Sequence, residues 1–200
     1  MAQSLRDRQK VRRREDMLIA ARTLFVERGY SSTTMEAIAE QSDVGVATVY
    51  TYFKNKEGVF AELGRMDMSE LQADGESVLP SLPADPVAAV LELLSIYKRV
   101  HDYISYEVIR EFTLGAKKKG RIREVAVWVR EWQADQLCRA LEERQSTGQI
   151  AASLDANEAA QVICDLLEKY YDRAATDAQE KKAWQSLERR VALVFEAWRG

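Results

Sequence analysis

Residues 33–58 read TTMEAIAEQSDVGVATVYTYFKNKEG, and this stretch decides the fold. Thr33 and Glu36 have capping-box spacing, with the hydroxyl accepting from the Glu36 backbone N–H while the glutamate side chain reaches back. Met35, Ile38 and Ala39 then share the inward face of a short helix. Ser42-Asp43-Val44-Gly45 reads as a turn, because Asp is one of the few non-glycine residues that tolerates a left-handed backbone. Gly45 is a weak N-cap for a second helix over Val46–Phe53. Val49 and Phe53, at i and i+4, anchor that helix, while its other face is small and hydroxyl-bearing, then aromatic and basic. Two short helices across a tight turn are the layout of a helix-turn-helix DNA reader, whose second helix enters the major groove.

The residue types divide the DNA-facing work. Ala47, Thr48 and Thr51 are short enough for close approach, and threonine can bond phosphates or base edges and touch a thymine methyl. Tyr50 and Tyr52 can donate to phosphate oxygens, and Lys54 and Lys56 can neutralise phosphates beside the groove. Thr33, Thr34 and Val46 complete the expected DNA-binding set.

Moving outward, an amphipathic helix is expected over Val11–Arg28, ended by Gly29, with Met17, Leu18, Ala20, Ala21, Leu24 and Phe25 inward. Ahead of it, the first fourteen residues carry Arg6, Arg8, Lys10, Arg12, Arg13 and Arg14 against Asp7. Although the formal net charge is -3, residues 1–60 hold ten Lys/Arg against eight Asp/Glu, and the remainder nineteen against twenty-four. A basic arm over 1–14 therefore points to a polyanion contact confined to one end, or to a solvated tail.

Helix continues from Lys56 to about Ala73. The three prolines, Pro80, Pro83 and Pro86, mark the one obvious linker, VLPSLPADP. Beyond it, helices are expected at 86–100, 102–114 with a break near His101, 121–145, 155–175 and 178–198. The expected class is all-α, with about nine helices. The domain reading is an arm at 1–14, a helix-turn-helix domain at 15–60, and an effector-binding and dimerisation domain at 61–200.

Residues 17–63 resemble the DNA-binding domain of the TetR family of bacterial transcriptional regulators. The resemblance rests on Ala20-Ala21, Leu24-Phe25, Gly29-Tyr30, Thr34, Ile38-Ala39, Val44, Thr48-Val49-Tyr50, Tyr52-Phe53, Lys54 and Lys56. It implies an all-helical, two-domain, homodimeric repressor whose C-terminal domain binds a small effector. It also implies DNA-backbone contacts from Thr48, Tyr50, Tyr52 and Lys56, with Val46, Ala47 and Thr51 nearer the bases. Three positions depart from the family pattern, which often has Gly at 43, Ser at 45 and Lys or Arg at 46.

In the C-terminal region, Val162, Ile163, Leu166, Leu167 and Tyr170 form one apolar helix face. Trp184, Leu187, Val191, Val194, Phe195 and Trp198 form another. A two-fold four-helix interface is expected, with Val162, Ile163, Leu166, Tyr170, Leu187, Val191, Val194, Phe195 and Trp198 in the seam. An aromatic effector pocket is expected from Met66, Tyr97, His101, Ile104, Phe112, Trp128 and Trp132.

Hydrophobic residues make up 46% of the chain, enough for a core, yet no run approaches the ~18 apolar residues of a membrane span. No secretory signal is visible, which fits a cytoplasmic protein. One histidine and two distant cysteines, Cys138 and Cys164, give no persuasive metal site, and those cysteines read as small core residues. No catalytic constellation or cofactor motif stands out. The expected partners are double-stranded DNA with a palindromic operator, a small-molecule effector and a second copy of the chain. The alternative is a DNA-bound architectural or protein-recruiting factor without a ligand, which a filled core around Trp128 and Trp132 would favour.

Overall fold

The computed structural model describes residues 5–174 and 176–198, which form ten α-helices, one 3-10 turn and no strand. The N-terminal part contains α1 (Leu5–Ser32), α2 (Met35–Gln41), α3 (Val46–Phe53) and α4 (Lys56–Val78). The rest comprises α5 (Pro86–Lys98), α6 (Val100–Tyr103), α7 (Tyr106–Ala116), α8 (Arg121–Ser146), α9 (Ala156–Arg173) and α10 (Asp177–Trp198). The all-helical class is as read from the sequence. The tenth helix is α6, a single turn at the break expected near His101.

Local chemistry sets the boundaries. Gly29 (φ 78°) interrupts α1 where an end was expected. Asp43 (φ 52°) is left-handed in the α2–α3 turn, and Gly45 stands at the α3 N-cap with no side-chain bond. The α2 cap is Thr34, not Thr33: its hydroxyl accepts from Ala37 N–H at 3.1 Å. Asp85 caps α5 by accepting from Ala88 N–H at 2.8 Å, with Pro86 in the first turn.

Two expected boundaries move. α1 begins at Leu5, so residues 5–14 of the expected arm are helical, while residues 1–4 lie outside the described residues. α4 runs to Val78 rather than stopping near Ala73. Its last turns are held by α8, where the Gln136 amide donates to the Gln72 carbonyl and to Glu76 Oε1, both at 2.9 Å.

The buried side chains form two clusters. The first joins Met17, Leu24 and Phe25 of α1, Ile38 of α2, Val49 and Phe53 of α3, and Val59 and Phe60 of α4. Ile122 and Val125 of α8 close it. In the second, Leu71 of α4 packs with Leu94 and Tyr97 of α5, Leu137 of α8, Ile163 and Leu167 of α9, and Val191 of α10. Both clusters thus contain parts of α4 and α8, so a displacement at one end of α4 is carried to the other by a continuous helix.

Candidate nucleic-acid interface and ligand cavity

α3 is held from behind and left bare in front. Val49 and Phe53 are 0% and 1% exposed. Ala47, Tyr50, Thr51 and Lys54 are exposed together, Val46 is 36% exposed, and Thr48 and Tyr52 are half-buried. The Thr51 hydroxyl donates to the Ala47 carbonyl at 2.7 Å, which leaves its methyl and its lone pairs outward. Thr34 is also exposed, although its oxygen already serves as the α2 cap.

Three members of the expected DNA set do other work, Tyr52 among them, whose hydroxyl donates to the Lys10 carbonyl at 3.4 Å. Thr33 is 1% exposed; its hydroxyl donates toward the Gly29 carbonyl at 2.9 Å and the Leu24 carbonyl at 3.2 Å. It therefore ties off α1 and is shut away from any duplex. The Lys56 ammonium donates to the carbonyls of Tyr30, Ser31 and Thr33 at 2.7, 3.1 and 2.8 Å, and lies 4.6 Å from the Tyr30 ring centroid. All three of its protons are thus engaged inside the domain. Burial lowers its pKa, with Glu111 acting in the opposite sense.

A cavity of about 550 Å³ lies among α1, α4, α7, α8 and α9. Its wall on α4 is Phe60, Leu63, Gly64, Asp67 and Met68, a helical face in i, i+3, i+4, i+7, i+8 order. Of the seven residues expected to line a pocket, Ile104 and Phe112 do so. The other five do not. Met66 is 42% exposed on the outer side of α4, where Met68 takes the inward place. Trp128 and Trp132 project from the side of α8 away from its cavity face of Arg123, Ala126, Val127 and Arg130. Trp128 lies under the Arg65 guanidinium, 4.6 Å from it, and Trp132 packs edge-on against Tyr97 at 5.2 Å. Tyr97 is fully buried and donates to Gln136 Oε1 at 2.8 Å. His101 sits in a cage of Tyr106, Tyr170 and Tyr171, at centroid distances of 4.8, 5.8 and 5.9 Å.

Among the cavity residues that the sequence reading missed, Arg22, Phe25, Val26 and Phe60 come from the expected DNA-binding domain. Ion pairs punctuate the lining. Arg22 meets Asp67 at 2.5 Å, and Asp67 is nonetheless pushed up by burial, which outweighs that partner. Arg130 meets Asp165 at 2.7 Å, and Lys117 meets Asp172 at 3.0 Å. Arg123 has no carboxylate within ion-pair range among the described residues and donates to the Ala116 carbonyl at 3.4 Å. Cys164 also lines the cavity; burial raises its thiol pKa to about 11, so it is an uncharged wall atom. Cys138 is half-buried and free.

The expected dimer seam splits in two. Ile163, Tyr170, Leu187, Val191 and Phe195 are at most 2% exposed within one chain. They are intrachain core, because α9 and α10 pack on each other and on α5 and α8. Val162 is 41% exposed, and Leu166, Val194 and Trp198 are half-buried. Leu193, not among the expected residues, is 62% exposed beside them on α10.

Comparison with known proteins follows this geometry. Residues 18–63 match the model of the bacterial regulatory proteins of the tetR family. Over 72 residues the chain is 42% identical to YhgD of Bacillus subtilis (strain 168), an uncharacterized HTH-type transcriptional regulator; the match covers 36% of this chain and 38% of that protein. It is 25% identical over 191 residues to the HTH-type transcriptional repressor DhaR of Mycobacterium sp. (strain GP1), covering 92% and 91% of the two chains. FadR of Thermus thermophilus, a TetR-family repressor solved with lauroyl-CoA, superposes with a TM-score of 0.70 at 19% identity, covering 90% of this chain and 92% of that one. At that identity the likeness is one of fold. The chain spans little more than a third of the length of the first curated relatives it matches. The matched region falls within α1–α4, where the bare-faced, back-buried α3 lies, so it is this part of the chain that is similar to the bacterial regulatory proteins of the tetR family.

Proposed function

We propose that two copies of this chain form a sequence-specific transcriptional repressor that leaves a palindromic operator when a small molecule fills the cavity. The observation that carries this reading is the continuity of α4. That helix packs against α3 through Val59 and Phe60, and its next two turns form the cavity wall. A ligand pressing on Leu63, Gly64 and Met68 therefore acts on the helix that sets the position of the reader. It releases DNA only if it binds more tightly to the non-binding arrangement. The outward remnants of the α9 and α10 faces, Val162, Leu166, Leu193, Val194 and Trp198, are the proposed two-fold contact. Two readers related by that axis would meet half-sites one or more helical turns apart.

The lining favours an amphiphile with an apolar chain and an acidic head. At about 550 Å³ the cavity is of the size that takes a small-molecule ligand, with room for an apolar chain. Arg123, the lining cation without an ion-pair partner, is the proposed head-group contact. The Thermus thermophilus FadR complex, with an acyl-CoA in the same fold, supports a ligand of this kind. A filled core around Trp128 and Trp132 was to favour the alternative of an architectural factor without a ligand, and a sizeable cavity the ligand-responsive regulator. The surroundings of Trp128 and Trp132 are packed, which is the observation in favour of the alternative, and the cavity on the opposite side of α8 is what supports the ligand-responsive reading. No described helix is long and apolar enough to cross a membrane, in keeping with a protein that meets DNA.

The test is selection of bound sequences from random duplex DNA, with Tyr50→Ala as control. A palindrome recovered by the wild type and lost by the variant is expected. Dodecanoate and its CoA ester, titrated into the operator complex, should then release it. Recovery of no sequence by a folded dimer at low salt would overturn the reading.

A further inference from the structure

The N-terminal turns of α1 continue the reader surface. Residues 5–13 are all exposed, and the first buried side chain of the helix is Met17. These turns are helical without a core to lie on: Leu5 and Val11 are 67% and 47% exposed. At 1.5 Å per residue they extend about 13 Å.

Their side chains are not distributed evenly around the helix. Arg6, Lys10 and Arg13 stand at i, i+4 and i+7, and the same row runs on into Met17 and Leu24. Where the domain covers this face, it is apolar and buried. Where the domain stops, it turns cationic. None of Arg6, Lys10 and Arg13 has a carboxylate within ion-pair range among the described residues, whereas Arg14, one turn before Leu18, meets Glu62 at 2.5 Å.

The row also has a fixed address. The Tyr52 hydroxyl donates to the Lys10 carbonyl at 3.4 Å, and the Arg14 guanidinium lies 6.0 Å from the Phe53 ring. Both partners are in the last turn of α3. The basic turns are therefore docked beside the C-terminal end of the reader helix, with the positive end of the α1 dipole outermost.

We propose that the Arg6–Lys10–Arg13 face is a preformed helical extension of the DNA interface, binding backbone phosphates that flank each half-site. This rests on the DNA-reading role of α3 and adds contacts to it. The occupant is a polyanion backbone because the face offers point charges without an apolar or hydrogen-bonding floor, and because it is continuous with α3. Phosphate contacts of this sort fix register and add salt-dependent affinity without reading bases.

The experiment compares Arg6→Gln/Lys10→Gln/Arg13→Gln with Arg8→Gln/Arg12→Gln, whose cations sit on the opposite side of the same turns. Affinity of the full chain for a fluorescent random-sequence duplex and for the selected operator is measured from about 50 to about 200 mM salt. Each lost phosphate contact lowers the log–log slope by ~0.9. The triple variant should lose about 2–3 from the slope on both DNAs, the double variant less than one, with equal helix content by circular dichroism. An unchanged slope in the triple variant, or equal losses in the two, overturns the proposal while leaving the role of α3 standing. A wild type that binds neither DNA at low salt removes the reading on which it rests.

Discussion

Phe112 on α7 rests its ring edge on the backbone of α4 at Gly64, where an added Cβ would lie 3.0 Å from Phe112 Cε2. The opposite side of Phe112 faces the cavity, and Phe60 flanks it at a centroid distance of 6.3 Å. This contact places a cavity-wall residue directly against the helix that follows the reader. Gly64→Ala should push the ring a few tenths of an ångström into open space. A helix-interior glycine is about 0.5–1 kcal/mol worse than alanine, so the fold should tolerate the change. The expected outcome is a Tm no lower than wild type, together with weaker binding of a fluorescent dodecanoate. A clear loss of Tm would mean that Phe112 cannot yield, and unaltered affinity would mean that its position does not shape the cavity.

Lys56→Met separates a structural from a DNA-binding lysine. Its ammonium serves three carbonyls at the end of α1, and hydrogen bonds from a charged group are worth about 1.5–3 kcal/mol. Thermal unfolding should show a Tm several degrees lower. The salt slope of DNA binding should change by less than the ~0.9 of one phosphate contact. A stable variant with a reduced slope would return Lys56 to the phosphate role that its sequence position implied.

Thr33 and Thr34 are adjacent and do different work. Thr33→Val keeps the buried shape but removes the donor to the Gly29 carbonyl, leaving an acceptor unpaired at a cost of about 1–3 kcal/mol. Thr34→Ala removes the α2 cap at about 1 kcal/mol. Chemical denaturation should therefore rank Thr33→Val as at least as damaging as Thr34→Ala. The reverse ranking would restore Thr33 to the surface.

The helix-turn-helix unit was legible because its signals are local. The left-handed Asp43, the Gly45 cap and the i, i+4 pair Val49 and Phe53 need only a few neighbouring residues to specify them. The same local reading did not foresee that Thr33 bonds carbonyls of α1, nor that Lys56 bonds carbonyls at the end of α1 and just beyond it, more than twenty residues away. The cavity was legible only in part. Tryptophans and tyrosines were expected to line it, but large rings contribute most when fully packed, as Tyr97 and Trp132 do. A better signal was present on α4, where Phe60, Leu63, Gly64, Asp67 and Met68 make one helical face with a glycine at its centre. The dimer seam was legible only in part for a related reason, since five of its nine expected residues are buried within the chain. An apolar stripe on α9 or α10 states that something covers it, not whether the cover is the same chain.

His101 supplies a prediction in pH. Both ring nitrogens are buried without a hydrogen-bond partner among the described residues. Burial lowers the His101 pKa, Lys98 of α5 adds to that lowering, and Glu180 of α10 and Asp102 of α6 oppose it. Tyr106 of α7 and Tyr170 and Tyr171 of α9 complete the surroundings. The unfolded chain takes up a proton near the usual ~6.5, while the folded chain does so only at lower pH. Between those values the unfolded state binds more protons, so this group's contribution is present above about pH 6.5 and is lost as pH falls toward the folded pKa. His101→Phe cannot titrate and retains the ring packing. Unfolding curves from pH 7.5 to 5.5 should show the wild type losing more stability than His101→Phe across the interval. Parallel losses would mean that burial does not shift the imidazole, and a smaller loss in the wild type would place a protonated, satisfied imidazole in the tyrosine cage and reverse the sign of this argument.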